Sequence, residues 1–60
     1  MQLAEAIKHA TKTANQEQVE MVVTHDPYGE NEKEMNYEFM PKGAEKIFHH
    51  QTVVQIIKPI

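Results

Sequence analysis

The sequence predicts an α+β fold in which one N-terminal helix packs on a three-stranded, mainly antiparallel sheet, in the order α-β-β-β. Three observations predict it. Residues 2–14 carry apolar side chains at helical spacing, residues 18–40 contain two alternating runs separated by a turn, and residues 52–58 are rich in β-branched side chains. Because the chain has only 60 residues and no internal repeat, we expect a single small domain, 1–60.

The first predicted element is a helix over residues 2–14. The apolar side chains that share one stripe at helical spacing are Leu3, Ile7, Ala10 and Ala14. Because this stripe is narrow and half alanine, we expect the helix to lie close against a sheet while burying little apolar surface. Asn15 is its predicted end, since asparagine tolerates the left-handed conformation found there.

A hairpin follows, with predicted strands at about 18–25 and 34–40. Its predicted core face carries Val19, Met21, Val23, Met35, Tyr37 and Phe39. The opposite face, which carries Glu20, Asn36 and Glu38, is predicted to be solvated. The run Asp26-Pro27-Tyr28-Gly29 has the residue preferences of a type I turn, and we expect a longer loop through about Lys33.

Residues 44–50 have two interpretations. They form either the start of the third strand or a single helical turn that crosses over, which would make the order α-β-β-α-β. The branched and aromatic residues from 47 to 57 favour a strand over at least 52–58, which Pro59 ends because proline cannot donate to a sheet ladder. One helix cannot cover both faces of such a sheet, so a face or edge is left for a second copy or a partner.

The charges are unevenly distributed along the chain. The formal net charge is −3, yet residues 17–38 hold seven of the nine acidic residues and a single lysine, a local net charge of −6. There is no arginine, the residue best suited to bidentate recognition of phosphate or guanine. An acidic array of this kind complements a basic surface and speeds association with it. The residues predicted to contact a protein partner are Glu20, Tyr28, Glu30, Glu32, Glu34 and Glu38.

No catalytic, cofactor or metal site is predicted. The chain lacks cysteine and serine, and its two glycines stand apart from each other, so no phosphate-binding loop is present. The adjacent His49 and His50 would point to opposite faces of a strand and cannot chelate one ion. His25 and Asp26 resemble a base with its orienting carboxylate, but such neighbours at a strand end more often only form a turn.

The leading hypothesis is a non-enzymatic protein-interaction module, a small acidic binder that inhibits or modulates a protein with a basic site, such as a nucleic-acid-handling enzyme. Small cysteine-free chains of this kind are common among phage products, which is an association only. In the alternative interpretation, the carboxylates have no binding role; they keep the solvent-facing side of a strand soluble and discourage edge-to-edge pairing. The alternative function is a homodimeric nucleic-acid-binding regulator that uses Lys8, Lys12, Lys42 and Lys46. It is less favoured, because phosphate affinity scales with the number of neutralised charges and the hairpin opposes it.

Size and composition give three further expectations. A chain of this length buries only about 60% of the surface that its unfolded form exposes, so we expect a homodimer to supplement the thin core. No apolar run approaches the ~20 residues that span a bilayer, and no secretory signal is recognisable. With the absence of cysteine, this predicts a cytoplasmic protein without a membrane partner, and the first methionine suggests a complete small gene product.

Overall fold

The computed structural model describes residues 1–28, 35–48 and 50–60. The elements are helix α1 (Leu3–Glu17), strand β1 (Met21–His25), strand β2 (Tyr37–Pro41), a 3₁₀ turn (Ala44–Lys46) and strand β3 (Thr52–Ile57). The three strands form one antiparallel sheet in the order β2-β1-β3. The predicted α+β fold is confirmed, and the undecided segment begins with a helical turn that precedes β3.

Helix α1 packs on one face of the sheet through alanine. Ala6, Ala10 and Ala14 are fully buried against Met21 and Val23 of the central strand β1. Four partly buried side chains border this core: Ile7, Tyr37, Phe39 and Ile57. The methyl side chains let the helix approach the strands closely, as the narrow stripe predicts, and they limit the apolar area that the core can bury.

The end of α1 differs from the prediction. Asn15 remains helical, and its side chain instead accepts a hydrogen bond from the Ile60 N–H at 2.9 Å. Gln18 adopts the left-handed conformation, with φ 54° and ψ 47°, and its N–H donates to the carbonyl of Ala14. The N–H of Val19 donates to the same carbonyl at 3.2 Å. The helix thus runs three residues beyond the predicted limit, and β1 begins at residue 21 instead of 18.

The expected division of the hairpin into a core face and a solvated face is wrong in β1. Val22 and Thr24 are buried, as is Met40 of β2, although all three point away from the helix. Conversely, Val19 and Met35, which were expected in the core, lie outside the strands and are exposed. The central strand is therefore covered on both faces, and its second cover does not come from the helix.

The second cover comes from the connection between β2 and β3. Because β1 lies between these strands, the connection has to cross β1 on one face or the other. Gln51, at its end, contacts two residues that face away from α1: the hydroxyl of Thr24, and the carboxylate of Glu38 at 3.4 Å. The crossover therefore lies on the face opposite the helix, the face on which Val22 and Thr24 are buried.

Candidate protein-interaction surface

The loop end of the β1–β2 hairpin is held in place by the backbone around Asp26. The N–H of Asp26 donates to the carbonyl of Asn36 at 2.9 Å, which extends the pairing one residue beyond β1. The Oδ1 atom of Asp26 accepts the N–H of Tyr28 at 2.9 Å, in the two-residue pattern by which aspartate stabilises turns. The backbone of Tyr28 is thus hydrogen-bonded within the turn, while the residue as a whole is 81% exposed.

The second carboxylate oxygen of Asp26 joins the turn to the crossover. It lies 3.4 Å from Nε2 of His50, an ion pair that exists when the imidazole is protonated. The neighbouring His25 instead packs its ring on Tyr37, with ring centroids 4.6 Å apart. A catalytic-type pairing of His25 with Asp26 was considered from the sequence; in the structure the Asp26 carboxylate makes a long-range contact with His50. No local pattern in the sequence points to that contact, because 24 residues separate its two partners.

The predicted contact residues that the structure describes lie at three different places on the hairpin. Tyr28 lies at the loop end, and Glu38 is exposed on β2, opposite Thr24 in the sheet register. Glu20 precedes β1 at the other end of the hairpin, and its carboxylate is 3.1 Å from Nζ of Lys42. Glu20 and the turn at Asp26 flank opposite ends of β1, whose five residues span about 17 Å. The predictions for Glu30, Glu32 and Glu34 lie outside the described residues.

The lysines of the alternative hypothesis are divided between the two sides of the sheet. Lys8 and Lys12 each follow a buried alanine by two residues, about 200° around the helix, so they lie on its outer surface. Lys42 neutralises Glu20 next to the other face, and Lys46 is exposed on the crossover that covers that face. The structure therefore does not bring these four lysines together into one basic patch.

The histidines described in the structure serve packing and pairing contacts. His9 on α1 stacks on Phe39 of β2, with ring centroids 5.6 Å apart and an interplanar angle of 21°. This stack covers an edge of the alanine core. Among residues 1–28, 35–48 and 50–60, no group of three or more His, Asp or Glu side chains is arranged to hold a metal ion.

Comparison of the chain with protein families, curated proteins and solved structures finds no match. Within the described part of the chain, no helix is long and apolar enough to cross a membrane.

Proposed function

We propose that the protein is a non-enzymatic protein-interaction module, a small acidic binder that inhibits or modulates a protein whose site is basic, such as a nucleic-acid-handling site. The observation that carries the proposal is Tyr28, a residue that is 81% exposed while its backbone N–H is hydrogen-bonded to Asp26. Tyrosine is enriched among the few residues that dominate interface energies. A residue whose backbone is held in place before binding loses less conformational entropy when a partner covers it.

Charge supports a basic partner for this surface. Tyr28 leads directly into the sequence that carries Glu30, Glu32 and Glu34, and residues 20–38, which follow helix α1, have a net charge of −5. Glu38 adds an exposed carboxylate on β2. Clustered carboxylates raise the rate at which a basic surface is encountered, and they disfavour acidic partners. Glu20 is the least suited of the predicted contacts, because Lys42 already neutralises it at the far end of β1.

The proposed module acts as a homodimer. The main core is built largely from alanine, and three of the four apolar residues of β3, namely Val53, Val54 and Ile56, are left exposed. A small domain with so little buried surface gains support when a second copy covers such side chains. The acidic hairpin end and β3 are different parts of the fold, so dimerisation leaves the proposed contact surface accessible.

Comparative capture tests the function. The immobilised wild-type protein and the variant Glu30→Gln/Glu32→Gln are incubated with soluble extract of the native host, and retained proteins are quantified by mass spectrometry. We expect a basic protein to be retained by the wild type and lost from the variant. The matched control Glu5→Gln/Glu17→Gln removes the same charge from exposed positions of α1 and should retain that protein. Equal retention by both variants would show that Glu30 and Glu32 do not contribute to binding.

A gel-shift assay separates this proposal from nucleic-acid binding. Wild-type protein is titrated into labelled duplex DNA and single-stranded RNA at low and moderate salt. We expect no shift at micromolar protein. A salt-dependent shift that disappears in Lys8→Glu/Lys12→Glu would instead support a regulator that binds nucleic acid through the outer surface of α1.

A further inference from the structure

The two edges of the sheet are protected to different degrees. On the β2 edge, the Tyr37 N–H donates to the carbonyl of Met1 at 3.0 Å, and the Met1 nitrogen donates back to the Tyr37 carbonyl at 3.2 Å. The same strand ends in Pro41, which has no N–H to offer. The β2 edge is thus covered at one end and lacks a donor at the other, two of the means by which proteins prevent edge-to-edge pairing.

The hydrogen-bond alternation identifies the backbone groups that β3 directs away from β1. In an antiparallel sheet, a central strand bonds alternately to its two neighbours. The Asp26 N–H bonds to Asn36, and the Lys42 N–H bonds to Glu20, so the even-numbered residues of β1 and its extensions bond toward β2. The odd-numbered residues of β1 therefore bond toward β3.

Met21 and Val23 are odd-numbered residues of β1, and their partners in β3 are Ile57 and Gln55. These two β3 residues thus direct their N–H and C=O groups toward β1. Ile56, which lies between them, directs both groups outward along the outer edge of the sheet. A register shift near Val54 lies two residues away, so it ends the regular ladder without disturbing this position.

The side chains of β3 are unusual for an edge strand. Its sequence, Thr-Val-Val-Gln-Ile-Ile, contains no charge and no proline. Val53, Val54 and Ile56 are 40%, 47% and 49% exposed, and α1 lies mainly over β1 and β2. An uncharged, apolar and β-branched edge of this kind is a template for another strand.

We infer that β3 pairs antiparallel with β3 of a second copy, about a two-fold axis beside Ile56, to form a continuous six-stranded sheet. The inference specifies the interface of the homodimer in the proposed function and rests on that part of it. Ile56 exchanges both backbone hydrogen bonds with Ile56 of the second copy, as paired residues in an antiparallel ladder do. The two-fold axis is perpendicular to the sheet, so both helices lie on one face.

Charge and symmetry favour a second copy as the occupant of this edge. In the inferred register, Gln55 faces Ile57 of the second copy, and Val54 faces its Lys58. No like charges meet, although the whole chain is acidic and the hairpin region is strongly so. A two-fold interface has to be self-complementary, which an uncharged strand satisfies without further adjustment. Because the edge strand alone is a small contact area, we expect a weak dimer in the micromolar range.

Sedimentation equilibrium of the full chain, from low to high micromolar concentration, tests this interface. We expect the mass to rise from 7.0 kDa toward twice that value. Ile56→Lys places like charges beside the axis and should raise the dissociation constant at least tenfold. Ile47→Lys is the matched control, because Ile47 is 74% exposed on the crossover and this variant should dimerise as the wild type does. Circular dichroism verifies that both variants fold.

Disulfide trapping locates the interface directly, since the chain contains no cysteine. In the inferred register, the Cα atoms at position 56 of the two copies lie about 5.5 Å apart, within the range that a disulfide bridges. We therefore expect Ile56→Cys, and not Glu38→Cys on the opposite edge strand, to give covalent dimers on mild oxidation. A monomeric wild type, or an Ile56→Lys variant that dimerises normally, would overturn the inference. Either result would leave the comparative capture by the hairpin end unaffected.

Discussion

The hydroxyl of Thr24, buried in the central strand, donates a hydrogen bond to Oε1 of Gln51, 27 residues later in the chain. This contact holds the crossover against the face of the sheet that the helix leaves open. The amide group of Gln51 also reaches the carboxylate of Glu38 at 3.4 Å, so a single side chain bridges β1 and β2 from above. The sheet therefore has a segment packed on each face: helix α1 on one, and the connection between β2 and β3 on the other.

Gln51→Ala should destabilise the protein through this contact. The change leaves the Thr24 hydroxyl buried without its acceptor, and an orphaned buried polar group costs about 1–3 kcal/mol. Chemical denaturation with urea measures the difference. Gln16→Ala, at an exposed position of α1, is the control and should leave the midpoint almost unchanged. Equal midpoints for the two variants would mean that the crossover is not held by Gln51.

Gly43→Ala should also destabilise the protein, although the added methyl group would make no steric clash. Gly43 has φ 104°, and an added Cβ would meet no atom within 4 Å. The cost is thus conformational, and we expect about 1–2 kcal/mol, since L-residues avoid positive φ. Thermal unfolding of the two proteins measures it. An unchanged melting temperature would show that the turn after β2 adopts a different backbone in solution.

Gln18→Gly should stabilise the protein. Gln18 ends helix α1 at φ 54°, a conformation that glycine adopts without penalty. We expect a gain of roughly 0.5 kcal/mol, reduced by loss of the side-chain bond from Gln18 to the Asn15 carbonyl and by the greater entropy of the unfolded chain. A higher urea midpoint than that of the wild type is the expected result, and a lower one would place the helix end elsewhere.

Ala10→Leu tests the close packing of α1. Ala10 is fully buried between the helix and strand β1, and a larger side chain there forces the elements apart. Overpacking of this kind typically costs about 1–3 kcal/mol. Ala4→Leu makes the same substitution at an exposed position of the same helix and should be close to neutral in urea titration. If both variants were equally stable, the alanine stripe would not form the helix–sheet contact.

Local patterns in the sequence predicted the elements of the fold, because helical spacing and alternation are properties of neighbouring residues. They identified the alanine stripe and the buried side chains of Met21 and Val23. They did not predict that the connection between β2 and β3 lies on the second face of the sheet. The burial of Thr24 on that face involves a segment far along the chain, around Gln51, and Val22 is buried on the same face. Correct alternation in β1 therefore led to a wrong prediction about its second face.

The candidate site was predictable in part for the same reason. The turn preferences of Asp26 and Pro27 are local, and in the structure Tyr28 is hydrogen-bonded to Asp26 in a turn and exposed; its contact with a partner stays a prediction. The pairing of Glu20 with Lys42 and of Asp26 with His50 brings together residues distant in sequence. A charge count treats all acidic residues alike, and it could not separate the neutralised Glu20 from the exposed Glu38.

The affinity of the Tyr28→Ala variant for the captured basic protein, measured by isothermal titration calorimetry, tests the central claim most directly. Truncating an interface hot spot costs at least about 2 kcal/mol, so we expect the variant to bind more than tenfold more weakly than the wild type. Phe48→Ala, which truncates another exposed aromatic residue on the crossover, should bind as the wild type does. Equal affinities for the wild type and Tyr28→Ala would contradict the assignment of the hairpin end as the contact surface.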